Sequence, residues 1–335
     1  MATDAETRKS IGKQLGILAA LVSSYCLLTV LMWPFLWADP IGHFTETLTG
    51  MGQYIWQGSE LFMGHDQDVT QLPWYYVPVW VGITMPPLIV GAFLLGNGSV
   101  AMAAVRNRLR LFKGPGQRFD LACLMLFWAG PIAAMVLGSV LYNGWRQMFF
   151  IGGPMVMLAL LGLHQLASAL STGWKRWVVP TLAMAQVVAC AGYLVIAHPH
   201  QYVYFNLFAG PEPSRFFEMD YWGQSYRDAL EYVAENDPSD SLTVRSWNYT
   251  GYMDRSFLSP EDKARVHVHF TDSLLQGRLP DYQITSKRSE VEKNHGFELV
   301  HEVKSGRQTV NWVYKRSVPQ NPSDSLASEA AGLPN

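Results

Sequence analysis

Five acids and two histidines stand in the polar stretch from Ala38 to Leu72, and six of them are placed for chemistry: Asp39, Glu46, Glu60, His65, Asp66 and Asp68. Apolar runs flank this stretch on both sides, so its carboxylates sit beside a membrane segment. A carboxylate there can accept the proton of an incoming hydroxyl as a general base. Asp39 and Glu46 are candidates for that role. Asp39 has a competing task, because Asp39-Pro40 reads as a helix start with Asp as the cap and Pro as the first helical residue. His65-Asp66-x-Asp68 places nitrogen and oxygen ligands close enough to hold a hard divalent cation. The same short spacing also describes a solvated loop.

Arg146 is the second chemically pointed residue. It follows Tyr142-Asn143-Gly144-Trp145 and precedes a long apolar run. A guanidinium binds phosphate oxygens in pairs, so this position suits a lipid headgroup or a lipid carrier. Snorkelling of the side chain to the interface is the alternative. Two histidine pairs, His198/His200 and His267/His269, lack a third ligand nearby in sequence, which makes them poor metal sites. The three cysteines, Cys26, Cys123 and Cys190, all lie in apolar runs and form neither a disulfide framework nor a metal motif.

The elements that carry these residues are mostly apolar helices. Five runs are long enough to span a bilayer: about 15–37, 74–105, 121–142, 148–170 and 177–197. The first is too long for the core of a cleavable signal peptide. The second is interrupted by Pro86-Pro87, whose missing N–H groups leave carbonyls one turn back without partners. Between the first two, Ile41, Phe44, Leu48, Met51 and Ile55 recur at helical spacing. They predict an amphipathic helix lying in the membrane interface. Trp56, Trp74, Tyr75 and Tyr76 suit the headgroup level.

Charge sets the expected topology. No lysine or arginine occurs from Gln14 to Val105, whereas Arg106, Arg108, Arg110, Lys113 and Arg118 follow at once. Cationic loops stay in the cytoplasm, so the N-terminus is expected inside and loop 38–72 outside. The fifth helix then delivers the remainder outside. A net charge of -2 and a mean hydropathy of +0.05 average two unlike halves, and no basic stripe suggests a nucleic-acid partner.

Residues 1–197 thus read as a membrane domain, 198–318 as a small α/β extracytoplasmic domain, and 319–335 as a disordered tail. The fold class expected is a mostly α membrane bundle of about five transmembrane helices and an interfacial helix, followed by the α/β domain. In that domain Ser225 should start a helix through Asn236, with Asp228 completing a capping box. Strands are expected at 242–247, 265–270 and 282–286, and a hairpin at 297–303 and 309–314 around Ser305-Gly306.

Several strings resemble bacterial polytopic glycosyltransferases of the GT-C fold, the protein O-mannosyltransferase-like and aminoarabinose-transferase-like enzymes. They are Trp33-Pro34-Phe35-Leu36-Trp37-Ala38-Asp39-Pro40, Leu61-Phe62-Met63-Gly64, Leu72-Pro73-Trp74-Tyr75-Tyr76, Leu141-Tyr142-Asn143-Gly144-Trp145-Arg146, His198-Pro199-His200-Gln201-Tyr202 and Glu218-Met219-Asp220-Tyr221-Trp222-Gly223. The resemblance covers about Trp33 to Tyr226. It implies transfer of a sugar from a polyprenyl-phosphate donor on the outer face of the bacterial inner membrane, without a cofactor. An arginine near the interface would stabilise the departing phosphate. Arg146 resembles that residue. Tyr142, His198 and Tyr202 lie in the same strings and join it as candidates for substrate or lipid-phosphate binding.

One departure qualifies the resemblance. The family's catalytic acid is usually an early Asp-Glu pair, and this chain has no Asp-Glu dipeptide. The first helix here resembles one from the middle of a full-length relative. The chain is therefore expected to be the C-terminal part of such an enzyme, with a second chain as one source of the missing helices. The alternative is a non-catalytic membrane subunit or remnant that binds lipid or a partner.

Overall fold

The computed structural model describes residues 4–53, 58–106, 114–270, 279–287 and 296–317. The expected tail at 319–335 lies outside them. The chain forms two compact units, Met1–Trp56 and Gln57–Asn335, the second holding the helices after residue 57 together with the sheet domain. Among the described residues five helical segments are long and apolar enough to cross a membrane: Gly12–Met32, Pro87–Arg106, Pro115–Leu137, Arg146–Ala169 and Gly173–Ile196.

The first unit holds α1 (Asp4–Met32) and α2 (Pro40–Gln53), joined by a 3-10 turn at Pro34–Leu36. Asp39 does cap α2, its Oδ1 accepting the Gly42 N–H at 2.9 Å. The apolar face of α2 is exposed at Ile41, Phe44 and Leu48.

The second unit opens with a hairpin inside the expected outer loop. Strands β1 (Ser59–Phe62) and β2 (His65–Asp68) pair antiparallel, with Phe62 opposite His65. Their two-residue turn, Met63-Gly64, has φ of 51° and 84°. That geometry suits the strand twist, but a methionine at positive φ gives no turn signal in sequence.

The expected second span is two helices, α3 (Tyr76–Thr84) and α4 (Pro87–Arg106). Pro86 and Pro87 cannot donate to the carbonyls of Gly82 and Ile83. Asn206 fills both vacancies from far along the chain. Its Nδ2 donates to Gly82 O and Met85 O, each at 2.6 Å, and its backbone N–H donates to Ile83 O at 2.8 Å. A break in a helix at membrane depth is tolerated when protein satisfies the freed groups.

Helices α4, α5 (Pro115–Leu137), α6 (Gly152–Ala169) and α7 (Val178–Ile196) follow. Helices α4 and α6 approach closely at two glycines. A Cβ on Gly96 would stand 1.9 Å from Leu158 O, and one on Gly162 would stand 2.0 Å from Ala92 O. The two backbones touch, as small residues allow between apolar helices. Gly162→Leu should therefore lower the thermal stability of the detergent-solubilised chain, by about 3 kcal/mol or more since backbone cannot yield as a side chain can. The same change at Gly98, which faces open space, should cost little; equal melting of the two variants would refute the contact.

Helix α7 buries none of its apolar window, and Val187, Val188 and Leu194 are exposed along it. The chain crosses from one end of the bundle to the other with each helix. One end thus collects the start of α4, the end of α5, the start of α6 and the end of α7.

The sheet domain contains α8 (Ser225–Asn236), β3 (Leu242–Ser246), α9 (Tyr249–Asp254), α10 (Pro260–Arg265), β4 (Val266–His269), β5 (Tyr282–Thr285), β6 (Phe297–Ser305) and β7 (Gln308–Arg316). Strand order is β4-β3-β5-β7-β6. The first three are parallel, and β7 and β6 run antiparallel. The expected strands and hairpin are present. The expected capping box is not: Ser225 lies inside α8 with its hydroxyl on Asp220, and Asp228 pairs with His200 at 2.9 Å.

Candidate functional site

At the collecting end of the bundle, the turn after α5 takes an unusual path. Asn143 and Gly144 both have positive φ, 57° and 74°. Successive residues of this kind point their N–H groups to one side and make a small anion-binding concavity. The carboxylate of Glu60, from β1, fills it. Its Oε2 accepts from Asn143 N at 2.6 Å and from the Tyr76 hydroxyl at 2.7 Å, and its Oε1 accepts from Gly144 N at 3.2 Å.

Glu60 is only 2% exposed. Burial pushes its carboxyl up to about 7, against the pull of the Tyr76, Asn143 and Gly144 hydrogen bonds, with the Glu218 charge adding to the rise. The Tyr76 phenol is driven well above its ordinary range, first by burial and then by the adjoining Glu60 charge. Glu60 is thus anchored on three donors rather than presented to a substrate. It positions the turn that leads into Arg146.

Arg146 opens the 3-10 turn Arg146–Ile151 that runs into α6. Its guanidinium carbon stands 4.6 Å from the Tyr142 ring centre and 5.3 Å from the Trp222 ring centre. Rings at this range hold a cation without neutralising it. The side chain is half-buried, and no carboxylate lies within salt-bridge distance among the described residues. An unneutralised, partly desolvated guanidinium is suited to an anion.

The remaining candidates fall in different places. Tyr142 is at the site, against Arg146. Tyr202 is one layer behind: its hydroxyl donates to Asp220, and rings connect Tyr202 to Tyr221 and Tyr221 to Trp222. Asp220 is fully buried and also accepts from Ser225 N at 2.9 Å, so this pair is structural. His198 is exposed, with Gln201 Nε2 2.7 Å from its Nδ1. Asp39 and Glu46 belong to the first unit, the former as a cap, the latter exposed. His65, Asp66 and Asp68 are exposed on β2, where His65 faces opposite to the two acids. Asp68 accepts from the Thr70 N–H and hydroxyl, which lowers its carboxyl. Among the described residues no three His, Cys, Asp or Glu side chains group to hold a metal.

Sequence reasoning passed over Trp222 and Tyr76 as parts of the site. Both were visible only as members of aromatic strings, and their role depends on contacts 76 and 16 residues away.

An apolar slot opens between α3, α4, α5 and α6, lined by Val77, Val81, Val90, Phe93, Phe127 and Met155, with a volume of about 130 Å³. A smaller cavity of about 60 Å³ shares Val77 and reaches Tyr76 and Leu141, next to the Glu60 turn.

Among the described residues, fold and site together give five apolar helices of membrane-spanning length, a small sheet domain, and an arginine between two rings with no carboxylate in salt-bridge range. No known protein family, no curated protein and no solved structure matches it.

Proposed function

We propose that this chain is a membrane-embedded sugar-transferase component that holds a polyprenyl-phosphate-linked donor, with the phosphate on Arg146. The observation carrying the proposal is the half-buried Arg146 guanidinium, stacked on Tyr142 and Trp222 without a carboxylate among the described residues. The apolar slot beside α3 suits the hydrocarbon part of the same molecule. The motif strings around Tyr142–Arg146 and Glu218–Gly223 supply the sugar-transfer part of the reading. On this reading the helices cross a bacterial inner membrane, the sheet domain is extracytoplasmic, and α2 lies in the outer interface.

In the reaction, an acceptor oxygen would bond to the sugar's anomeric carbon as the bond to the phosphate oxygen breaks. The electron pair would leave on the phosphate, where Arg146 stabilises the added charge. The acceptor's proton would pass to a base. Glu60 is an unsuitable base, because its three hydrogen bonds already occupy it. That occupancy favours a second reading, a lipid-binding subunit that performs no transfer.

Binding of undecaprenyl phosphate to the purified chain in nanodiscs, followed by native mass spectrometry, tests the site. Arg146→Ala should weaken binding roughly tenfold or more, the loss of a charge-assisted pair of hydrogen bonds. Unchanged binding would remove Arg146 from the role. Transfer from a sugar-loaded lipid to any acceptor would then separate the enzyme from the subunit.

A further inference from the structure

We infer that the sheet domain rests on the bilayer surface through an aromatic patch on α9 and the end of β4. The patch comprises Tyr249, Tyr252, Met253, Phe257 and Phe270, all exposed. Tyr249 lies 5.1 Å from Phe270, and Tyr252 lies 5.9 Å from both rings. Arg227 stands over the Phe257 ring at 5.2 Å. Aromatic rings with a cation at their margin are the chemistry of a lipid headgroup boundary.

Strand direction puts this patch on the side facing the bundle. The β6–β7 turn touches the last span, since a Cβ on Gly306 would lie 3.6 Å from Ile196 Cγ2. Strand β7 climbs away from that turn. Strand β5 pairs antiparallel to β7, Tyr282 with Lys315 and Thr285 with Trp312, so it descends toward the bundle. Strands β3 and β4 run parallel to β5 and descend with it. Their carboxyl ends, and therefore α9 and Phe270, lie on the bundle-facing edge.

A second chain of contacts reaches the same edge. Trp222 stacks on Arg146 at the head of a span, and the next residue, Gly223, abuts Thr250 of α9: a Cβ there would be 2.0 Å from Thr250 Oγ1. The buried face of α9 holds Gly251 against Ser246 and Tyr226, which turns Tyr252 and Met253 outward. What lies beyond the bundle's rim on that side is lipid.

The inference rests on reading the apolar helices as spans, and its test separates the two. In the full chain with the three cysteines replaced by alanine, a single cysteine carrying an environment-sensitive fluorophore is placed in turn at Met253, at Glu235 and at Val187. Glu235 lies at the opposite end of α8 from Ser225, away from the bundle; Val187 is exposed midway along α7. Nanodiscs carry nitroxide-labelled lipid, either headgroup-labelled or tail-labelled. The Met253→Cys probe should be quenched by headgroup nitroxide about twofold more than the Glu235→Cys probe, as for a side chain within roughly 5–10 Å of the headgroup boundary. Equal, weak quenching at 253 and 235, with Val187→Cys quenched by tail nitroxide, would overturn the inference and leave the spans standing. A blue-shifted but unquenched probe at 253 would overturn it too, assigning the patch to a protein or sugar partner. No quenching at 187 would overturn the spans themselves and the inference with them.

Discussion

Asn206→Ala should destabilise the chain by about 3 kcal/mol or more. The amide supplies two short hydrogen bonds to Gly82 O and Met85 O, and its Oδ1 accepts the Phe208 N–H at 2.8 Å. Asn206 is 6% exposed, so water does not replace what the side chain leaves behind. Each buried carbonyl left without a donor costs roughly 1–3 kcal/mol. The backbone bond to Ile83 O survives the substitution, which limits the loss. Asn206→Asp provides the sharper test. It keeps the size and the acceptor for Phe208, but sets a carboxylate oxygen against two carbonyl oxygens. It should be at least as harmful as alanine in thermal unfolding of the detergent-solubilised chain. An aspartate variant as stable as the parent would show that the amide does not close the helix break.

The second large effect concerns Glu60. Glu60→Leu should cost about 3–5 kcal/mol, because it leaves the Asn143 and Gly144 N–H groups and the Tyr76 hydroxyl facing an apolar side chain. Glu60→Gln retains an oxygen acceptor and should be milder. The two variants differ most clearly in pH dependence. The Glu60 carboxyl titrates from 4.5 in the unfolded chain to about 7 in the fold. The folded state therefore holds a proton that the unfolded state has released between those values. Stability contributed by that proton is fully present below pH 4.5 and is lost as pH rises to about 7. The whole loss is about 3 kcal/mol. The parent should melt progressively lower as pH is raised across this window, and Glu60→Gln should lack that component. A parent and a glutamine variant with parallel pH profiles would contradict the assignment.

The parts of this architecture that rest on long, strong patterns were readable from sequence. Apolar length alone marked five helices, and Pro86-Pro87 marked the break in the second. The sheet strands followed from alternation at Leu242–Ser246 and Val266–His269. What escaped depends on distant partners. Nothing near Asn206 in sequence says that it serves carbonyls about 120 residues earlier. Ser225-x-x-Asp228 has the spacing of a capping box, yet Asp220 and His200 offered both residues better-buried partners. Glu60 stood out only as one acid among several, since its role is set by backbone N–H groups that carry no sequence signature. Arg146 was legible because a lone cation beside an apolar run is costly, and its two aromatic neighbours account for how it is held.

The Asn206 junction also has a mechanical meaning. Three hydrogen bonds fasten the lead-in of the sheet domain to the last turn of α3, while α4 and α6 are locked backbone to backbone at Gly96 and Gly162. The bundle behind the break is stiff, and α3 is stiff in front of it. Only Met85 and Pro86, between Thr84 and Pro87, join these bodies along the chain. A tilt of the sheet domain would therefore move α3 as a lever about Pro86-Pro87, carrying with it the Tyr76 hydroxyl that helps hold Glu60.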